Sequence, residues 1–225
     1  MNKYSMPEIR IIAGTNGSGK TTFTDILSNE EAVLFNFNLA TENALNKYPE
    51  LKNSIKEFIK AQLYYSVEYA LEQKKDLTIV SNYNNEQKNL IDDILNEVKN
   101  KGYNTRLIYL HLNTIEDSML RVKYREAEGG REVLPEIIKQ NFTEVPINIK
   151  TSQRLFDSIE ILDNSIKKEI PKHIIEIQKD RLVASDLDED NKHFLSNAAY
   201  TLLNATSLVF NLMGAFFCFK ELFKL

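Results

Sequence analysis

The sequence has a single cysteine, Cys218, so no disulfide can close within the chain and a reducing compartment is expected. It has no excess of basic residues. The formal net charge of −4 gives no field that would gather a polynucleotide, and nucleic acid is not an expected partner. Histidine is sparse: His111, His173 and His193 are too far apart for metal-ligand spacing and read as core or surface residues. Met1 to Pro7 lacks the apolar core of a secretory signal, so a cytoplasmic protein is expected. There is no internal repeat. What remains is ordinary for a globular chain: 225 residues, 43% hydrophobic and 27% charged, enough for one α/β domain with an appendage.

What is present begins with Gly14 to Thr21, reading Gly-Thr-Asn-Gly-Ser-Gly-Lys-Thr, which fits the phosphate-binding pattern G-x-x-x-x-G-K-[ST] at every fixed position. Ile9, Ile11 and Ile12 before it read as a buried strand, and Thr22 to Leu27 after it read as the start of a helix. Gly14, Gly17 and Gly19 let the backbone curl so that successive N–H groups face one concavity, which opens onto a helix N-terminus favourable to phosphate. On this reading Gly14, Thr15, Asn16, Gly17, Ser18, Gly19, Lys20, Thr21 and Thr22 line the cradle for a nucleotide's phosphates. Lys20 reaches the β- and γ-phosphates, and Thr21 offers its hydroxyl to Mg²⁺.

Three further apolar runs read as buried strands: Leu77 to Val80, Leu107 to Leu112 and Ile159 to Leu162. Amphipathic helical patterns lie between them, from about Leu51 to Gln73 and from about Glu86 to Asn100, the second closed by Gly102. Asn113 or Thr114 caps the next helix, and Pro135 suits the first turn of the one after. Strands alternating with helices predict a mostly parallel sheet with ligand loops at the strands' carboxyl ends, where the glycine-rich loop sits. Only Ile159 to Leu162 leads into an acid, Asp163, which makes it the expected strand-end ligand of Mg²⁺ beside Thr21. Asp25 and Glu42 read as surface helix charges. Asn82 to Asn85 with Asn89 form a polar loop that either hydrogen-bonds an acceptor or is simply solvated.

Composition changes after Lys179. Residues 1–180 are expected to form the nucleotide-binding domain, and residues 181–225 an acidic linker (Asp186 to Asp190) followed by an apolar helix. No charged residue occurs from Phe194 to Phe219, while Asn197, Asn204 and Asn211 recur at spacing seven as a thin polar stripe. Two readings of that segment stand: a helix docked on the core or on a second subunit, or a membrane-embedded tail anchored by Lys220 and Lys224.

The second informative stretch is Arg121 to Val133. Arg121 and Arg125, four apart, share one face of a helix, and Gly129 and Gly130 then permit a mobile turn. Two aligned arginines beside a flexible lid suit the charge that develops on a transferring phosphoryl group. The competing reading is a solvated face paired with Glu126, Glu128 or Glu132.

With these residues in place, the sequence resembles the zeta toxin-like P-loop kinases. The resemblance rests on Ile11 to Thr22, on Gly102-Tyr103 opening a strand, on Arg121-Val122-Lys123-Tyr124-Arg125 with Glu128-Gly129-Gly130, and on Asp163-Asn164-Ser165, across roughly residues 8 to 180. It implies an adenylate-kinase-like fold using ATP and Mg²⁺, an acceptor such as the 3′-hydroxyl of a UDP-N-acetyl amino sugar, and inhibition by a small antitoxin protein. Carried over by position, it implies that Arg121 and Arg125 stabilise the transferred group and that Asp163 to Ser165 lie on the nucleotide side of the sheet.

The departures fall elsewhere. The family reads Asn-x-Asp after its second strand, the Asp serving as general base; here the stretch is Asn36-Phe37-Asn38. An amide at Asn38 cannot accept a proton in the transition state. Where the family reads Glu-Thr-(Thr/Asn), this chain has Val80-Ser81-Asn82; its Arg-Tyr is Asn141-Phe142, and its Gly-Gly-His is Gly129-Gly130-Arg131. Two functions follow: an ATP-dependent phosphotransferase acting on a small hydroxyl-bearing metabolite, or an ATP-binding pseudokinase with a regulatory role.

Overall fold

β1 (Glu8–Ala13) lies inside a seven-stranded sheet of order β2-β3-β1-β4-β5-β6-β7 in the computed structural model, which describes residues 6–166, 169–179 and the backbone of 181–185. The remaining strands are β2 (Val33–Asn36), β3 (Leu77–Ser81), β4 (Asn104–His111), β5 (Ser158–Asp163), β6 (Lys172–Gln178) and β7 (Arg181–Ser185). The helices are α1 (Lys20–Leu27), α2 (Phe37–Lys47), α3 (Ile55–Gln73), α4 (Asn85–Asn100), α5 (Ile115–Ala127) and α6 (Pro135–Ser152). Strands β1 to β5 pair in parallel, whereas β6 and β7 are antiparallel additions. The expected α/β architecture is present. Because β1 is flanked by β3 on one side and β4 on the other, the chain reverses its winding direction there and leaves a crevice at the carboxyl end of β1.

Alternation along β1 divides the core. Ile9, Ile11 and Ala13 join the larger cluster with Ile79, Leu107 and the apolar faces of α3 (Leu63, Val67) and α4 (Ile91, Leu95). Ile12 faces the other side, with Val80, Ile108, Leu110, Leu162 and Leu27 of α1. Strand β3 is buried along its whole length, which is why it reads as an uninterrupted apolar run.

The helix limits shift slightly from expectation. The pattern beginning at Leu51 is broken by a 3₁₀ turn at Pro49–Asn53, and α3 begins at Ile55. Thr114, not Asn113, caps α5, its hydroxyl accepting from Asp117 N at 3.0 Å. Gly102 does close α4, its N–H meeting Lys99 O at 3.0 Å, and Pro135 opens α6.

β7 pairs with β6, so strand pairing continues past the boundary expected at residue 180. The acidic run 186–190, His193, Cys218 and the expected apolar helix at 194–219 lie outside the described residues. Among the described residues, no helix is long and apolar enough to cross a membrane.

Ile79 is completely buried on β3, which pairs with β1 on one side and with the edge strand β2 on the other. Ile79→Ala is expected to destabilise the protein by about 2–5 kcal/mol, seen as a lower urea midpoint at unchanged slope.

Candidate functional site: a phosphate cradle at the end of β1

The loop between β1 and α1 is packed too closely for side chains. Gly17 and Gly19 hold φ of 73° and 91°. A Cβ on Gly17 would lie 3.0 Å from Ser118 O, and one on Gly19 would lie 2.6 Å from Asn164 Nδ2, so α5 and the segment after β5 press directly on the loop. Hydrogen bonds hold the loop's carbonyls. Ser118 Oγ donates to Asn16 O at 2.6 Å, and Asn164 Nδ2 donates to Ser18 O at 2.9 Å.

Lys20 is the first residue of α1 and is buried. Its Nζ donates to Gly14 O at 2.7 Å and Thr15 O at 2.8 Å, which spends two of its three protons on the loop itself. Burial, and then the positive charge of Arg125, lower its pKa from 10.5 to about 7. Among the described residues no carboxylate pairs with this ammonium. Thr15 Oγ1 and Ser18 Oγ are buried without a hydrogen-bond partner among the described residues. An anion with several oxygens would relieve both conditions, so the cradle fits a polyphosphate. Thr21 and Thr22 stand exposed on the first turn of α1.

The two arginines are separated by their surroundings. Arg121 NH2 donates to Asn164 O at 2.7 Å and Ser165 O at 3.1 Å, which ties α5 to the segment after β5. Arg125 is exposed, donates to Arg131 O at 3.0 Å, and acts electrostatically on Lys20. The Gly129–Gly130 turn folds back onto it, with Gly130 N donating to Arg125 O at 2.9 Å. Among the described residues neither arginine forms an ion pair with Glu126, Glu128 or Glu132. Asp163 ends β5, and its Oδ1 accepts from Ser165 N at 2.9 Å and from Ser165 Oγ at 2.5 Å. That carboxylate shapes the segment which presents Asn164 to the cradle. His111, at the same strand edge, is a buried residue between Tyr109 and Asn113.

The polar residues at the ends of β2 and β3 themselves, Asn36, Asn38, Ser81 and Asn82, are neutral. Asn36 caps α2, its Oδ1 accepting from Asn38 N at 3.0 Å and Leu39 N at 3.2 Å, so Asn38 stands on the helix's first turn. Val80 is part of the core. The asparagine loop is not uniformly solvated: Asn82 is buried with Oδ1 unpartnered among the described residues, while Asn85 and Asn89 are exposed. Two features were not anticipated. Tyr83 is fully buried at a positive φ of 57°, and Asn141 of α6 reaches the glycine-rich loop, donating to Asn16 Oδ1 at 2.7 Å. An isolated Asn in a helical pattern carries no sequence signal for such a contact. An open groove of about 810 Å³ between β2, α2 and α3 is lined by Leu39, Tyr48, Phe58 and Tyr65 and includes no residue of the cradle.

Gly19→Ala forces a side chain against Asn164 and Phe23, and is expected to lower ATP affinity at least ~10-fold in calorimetry while the unfolding free energy from urea titration falls by little more than ~1 kcal/mol. A second expectation concerns pH. Phosphate oxygens favour charged Lys20, so its pKa rises from about 7 on binding, and binding above that pH takes up a proton. ATP affinity should fall as pH rises through 7 to 9, with proton uptake visible as buffer-dependent heat at pH 8 and absent in Lys20→Met.

The fold matches a structure from the PezAT chromosomal toxin-antitoxin system of the human pathogen Streptococcus pneumoniae, with TM-score 0.56 and 17% identity over 89% of this chain and 88% of that one. It also matches AvrRxo1-ORF1:-ORF2 with ATP, with TM-score 0.59 and 13% identity over 89% of this chain and 66% of that one. At such identities the likeness is one of fold. No protein of curated function matches the sequence. The profile described as zeta toxin matches residues 1–173, and the chain therefore belongs to the zeta toxin family.

Proposed function

We propose that this protein is an ATP-dependent phosphotransferase acting on a small hydroxyl-bearing metabolite, of the kind a nucleotide sugar represents. The observation that carries the reading is the cradle at a helix N-terminus: among the described residues, its buried Lys20 has no counter-charge and its two buried hydroxyls have no hydrogen-bond partner. The family membership and the ATP in the AvrRxo1 structure support it.

In this reading residues 14–22 grip the triphosphate through main-chain N–H groups, and Lys20 turns its remaining proton toward the β- and γ-phosphates. Arg125 meets the γ-phosphoryl group as its charge spreads. Arg121, anchored on the Asn164 and Ser165 carbonyls, completes the positive field on the same helix face. The acceptor oxygen bonds to the γ-phosphorus, the bond to the β,γ-bridging oxygen breaks, ADP leaves, and the hydroxyl proton passes to solvent. Thr21 and Asp163 are the residues that would hold Mg²⁺, which neutralises charge between the β- and γ-phosphates when bound. A small antitoxin protein is the proposed macromolecular partner, in line with the toxin-antitoxin system that the PezAT structure represents.

A specific observation favours a second reading. Asn38, Val80 and Asn141 stand where the family resemblance places a general base, a substrate-binding acid and an arginine, and none of them carries charge. A general base is commonly worth about 10²–10⁴-fold in rate, so its loss leaves nucleotide binding with slow transfer, the property of a pseudokinase.

One experiment separates the two. Purified protein is incubated with ATP·Mg²⁺ and a metabolite extract, and mass spectrometry searches for added phosphate. The kinase reading expects a phosphorylated metabolite in the wild type and none with Lys20→Ala. No product in the wild type, with product in Asn38→Asp, identifies a disabled kinase. No product in either contradicts phosphotransfer.

A further inference from the structure

One face of α6 carries three polar side chains, Asn141, Glu144 and Asn148, spaced three and four apart, and all three meet the segment joining β3 to α4. Asn84 Nδ2 donates to Asn141 Oδ1 at 3.3 Å, Asn85 N donates to Glu144 Oε2 at 3.0 Å, and Asn148 Nδ2 donates to Tyr83 O at 3.0 Å. Asn141 also reaches the phosphate cradle, its Nδ2 donating to Asn16 Oδ1 at 2.7 Å. The amide bonds run one way, from Asn84 through Asn141 to Asn16. At the far end Asn84 Oδ1 caps α4 through Gln87 N, and Gln87 Oε1 accepts from Ser81 Oγ and Asn82 N at the carboxyl end of β3.

We propose that Asn141 is a positioning residue, which couples the cradle to the β3–α4 segment so that occupying one alters the other's affinity for its ligand. The inference rests on the nucleotide reading above and adds to it a link to the acceptor side. Burial of Asn16 and Asn141 to 7% and 2% exposure keeps water from substituting for their bond, so Asn16 follows Asn141. The β3–α4 segment has something to transmit. Tyr83 is held at a φ of 57° by bonds to Ser81 Oγ, Asn148 Nδ2 and Asp92 Oδ1, and beside it the buried Asn82 Oδ1 meets no donor among the described residues. A hydroxyl of the acceptor meeting that oxygen would shift this segment, and Asn84 would carry the shift to Asn141. Coupling of this kind is reciprocal, so weakening the chain at Asn84 must also be felt by the nucleotide.

The test uses Asn84→Ser, because serine keeps the cap on α4 but is too short to reach Asn141. Calorimetry is expected to show ATP binding weakened about five-fold, with the unfolding temperature close to that of the wild type. In an Asn141→Leu background, Asn84→Ser is expected to have no further effect. In the ligand-free protein, hydrogen exchange at the amides of residues 14–19 should accelerate in Asn84→Ser. Wild-type ATP affinity in Asn84→Ser overturns the coupling. If the wild type itself binds no ATP, the nucleotide reading fails instead, and exchange at residues 14–19 decides the coupling alone: acceleration sustains it and unchanged exchange overturns it.

Discussion

A phosphate cradle requires loop N–H groups free to meet an anion, and that requires the carbonyls of the same loop to be engaged elsewhere. Here four carbonyls are engaged from three directions. Lys20 takes the Gly14 and Thr15 carbonyls, α5 takes that of Asn16 through Ser118, and the segment after β5 takes that of Ser18 through Asn164. Every one of these groups stands at the carboxyl edge of the parallel strands or on the helix that follows. The sheet order, with β3 and β4 on either side of β1, is what brings them together. Glycine at 17 and 19 is the condition for that approach, since a Cβ at either place would collide with the groups that hold the loop.

The two halves of the site differ in chemistry. On the phosphate side the positive charges of Lys20 and Arg125 stand close enough that each raises the cost of the other, a tension that bound phosphate would relieve. At the ends of β2 and β3 the side chains of Asn36, Asn38, Ser81 and Asn82 are amides and a hydroxyl. Such groups orient a ligand by hydrogen bonds without supplying charge or accepting a proton during transfer. An intact nucleotide half with a neutral acceptor half is the physical basis for the two functional readings, and both require the same cradle.

Much of this was legible in the sequence where burial was continuous or a motif was local. Strands β1, β3, β4 and β5 are apolar runs because both faces are covered, and the glycine-rich loop announces itself by spacing. Strand β2 is only four residues long at a sheet edge, and β6 interleaves Lys172, His173 and Glu176 with its isoleucines, so neither stands out as a run. Arg121 and Arg125 were correctly placed on one helix, but which carbonyls anchor Arg121 depends on a segment more than 40 residues away, beyond any local pattern. Asn141 was visible only as a departure from the family. Its contact with Asn16 spans 125 residues and follows from the packing of α6, which periodicity does not reveal. The charge of Asp163 at a strand end is plain in the sequence, but its bonds to Ser165, which shape the turn, are not.

The central claim is that the loop from Gly14 to Thr22 is the seat of a nucleoside triphosphate. Hydrogen exchange measured with and without ATP·Mg²⁺ tests it most directly, because it reports where the ligand sits as well as whether it binds. The account predicts protection concentrated in residues 14–22, extending to the helix of Arg121 and Arg125 and to residues 163–165. Unchanged exchange in residues 14–22, or protection confined to the α2–α3 groove, would contradict it.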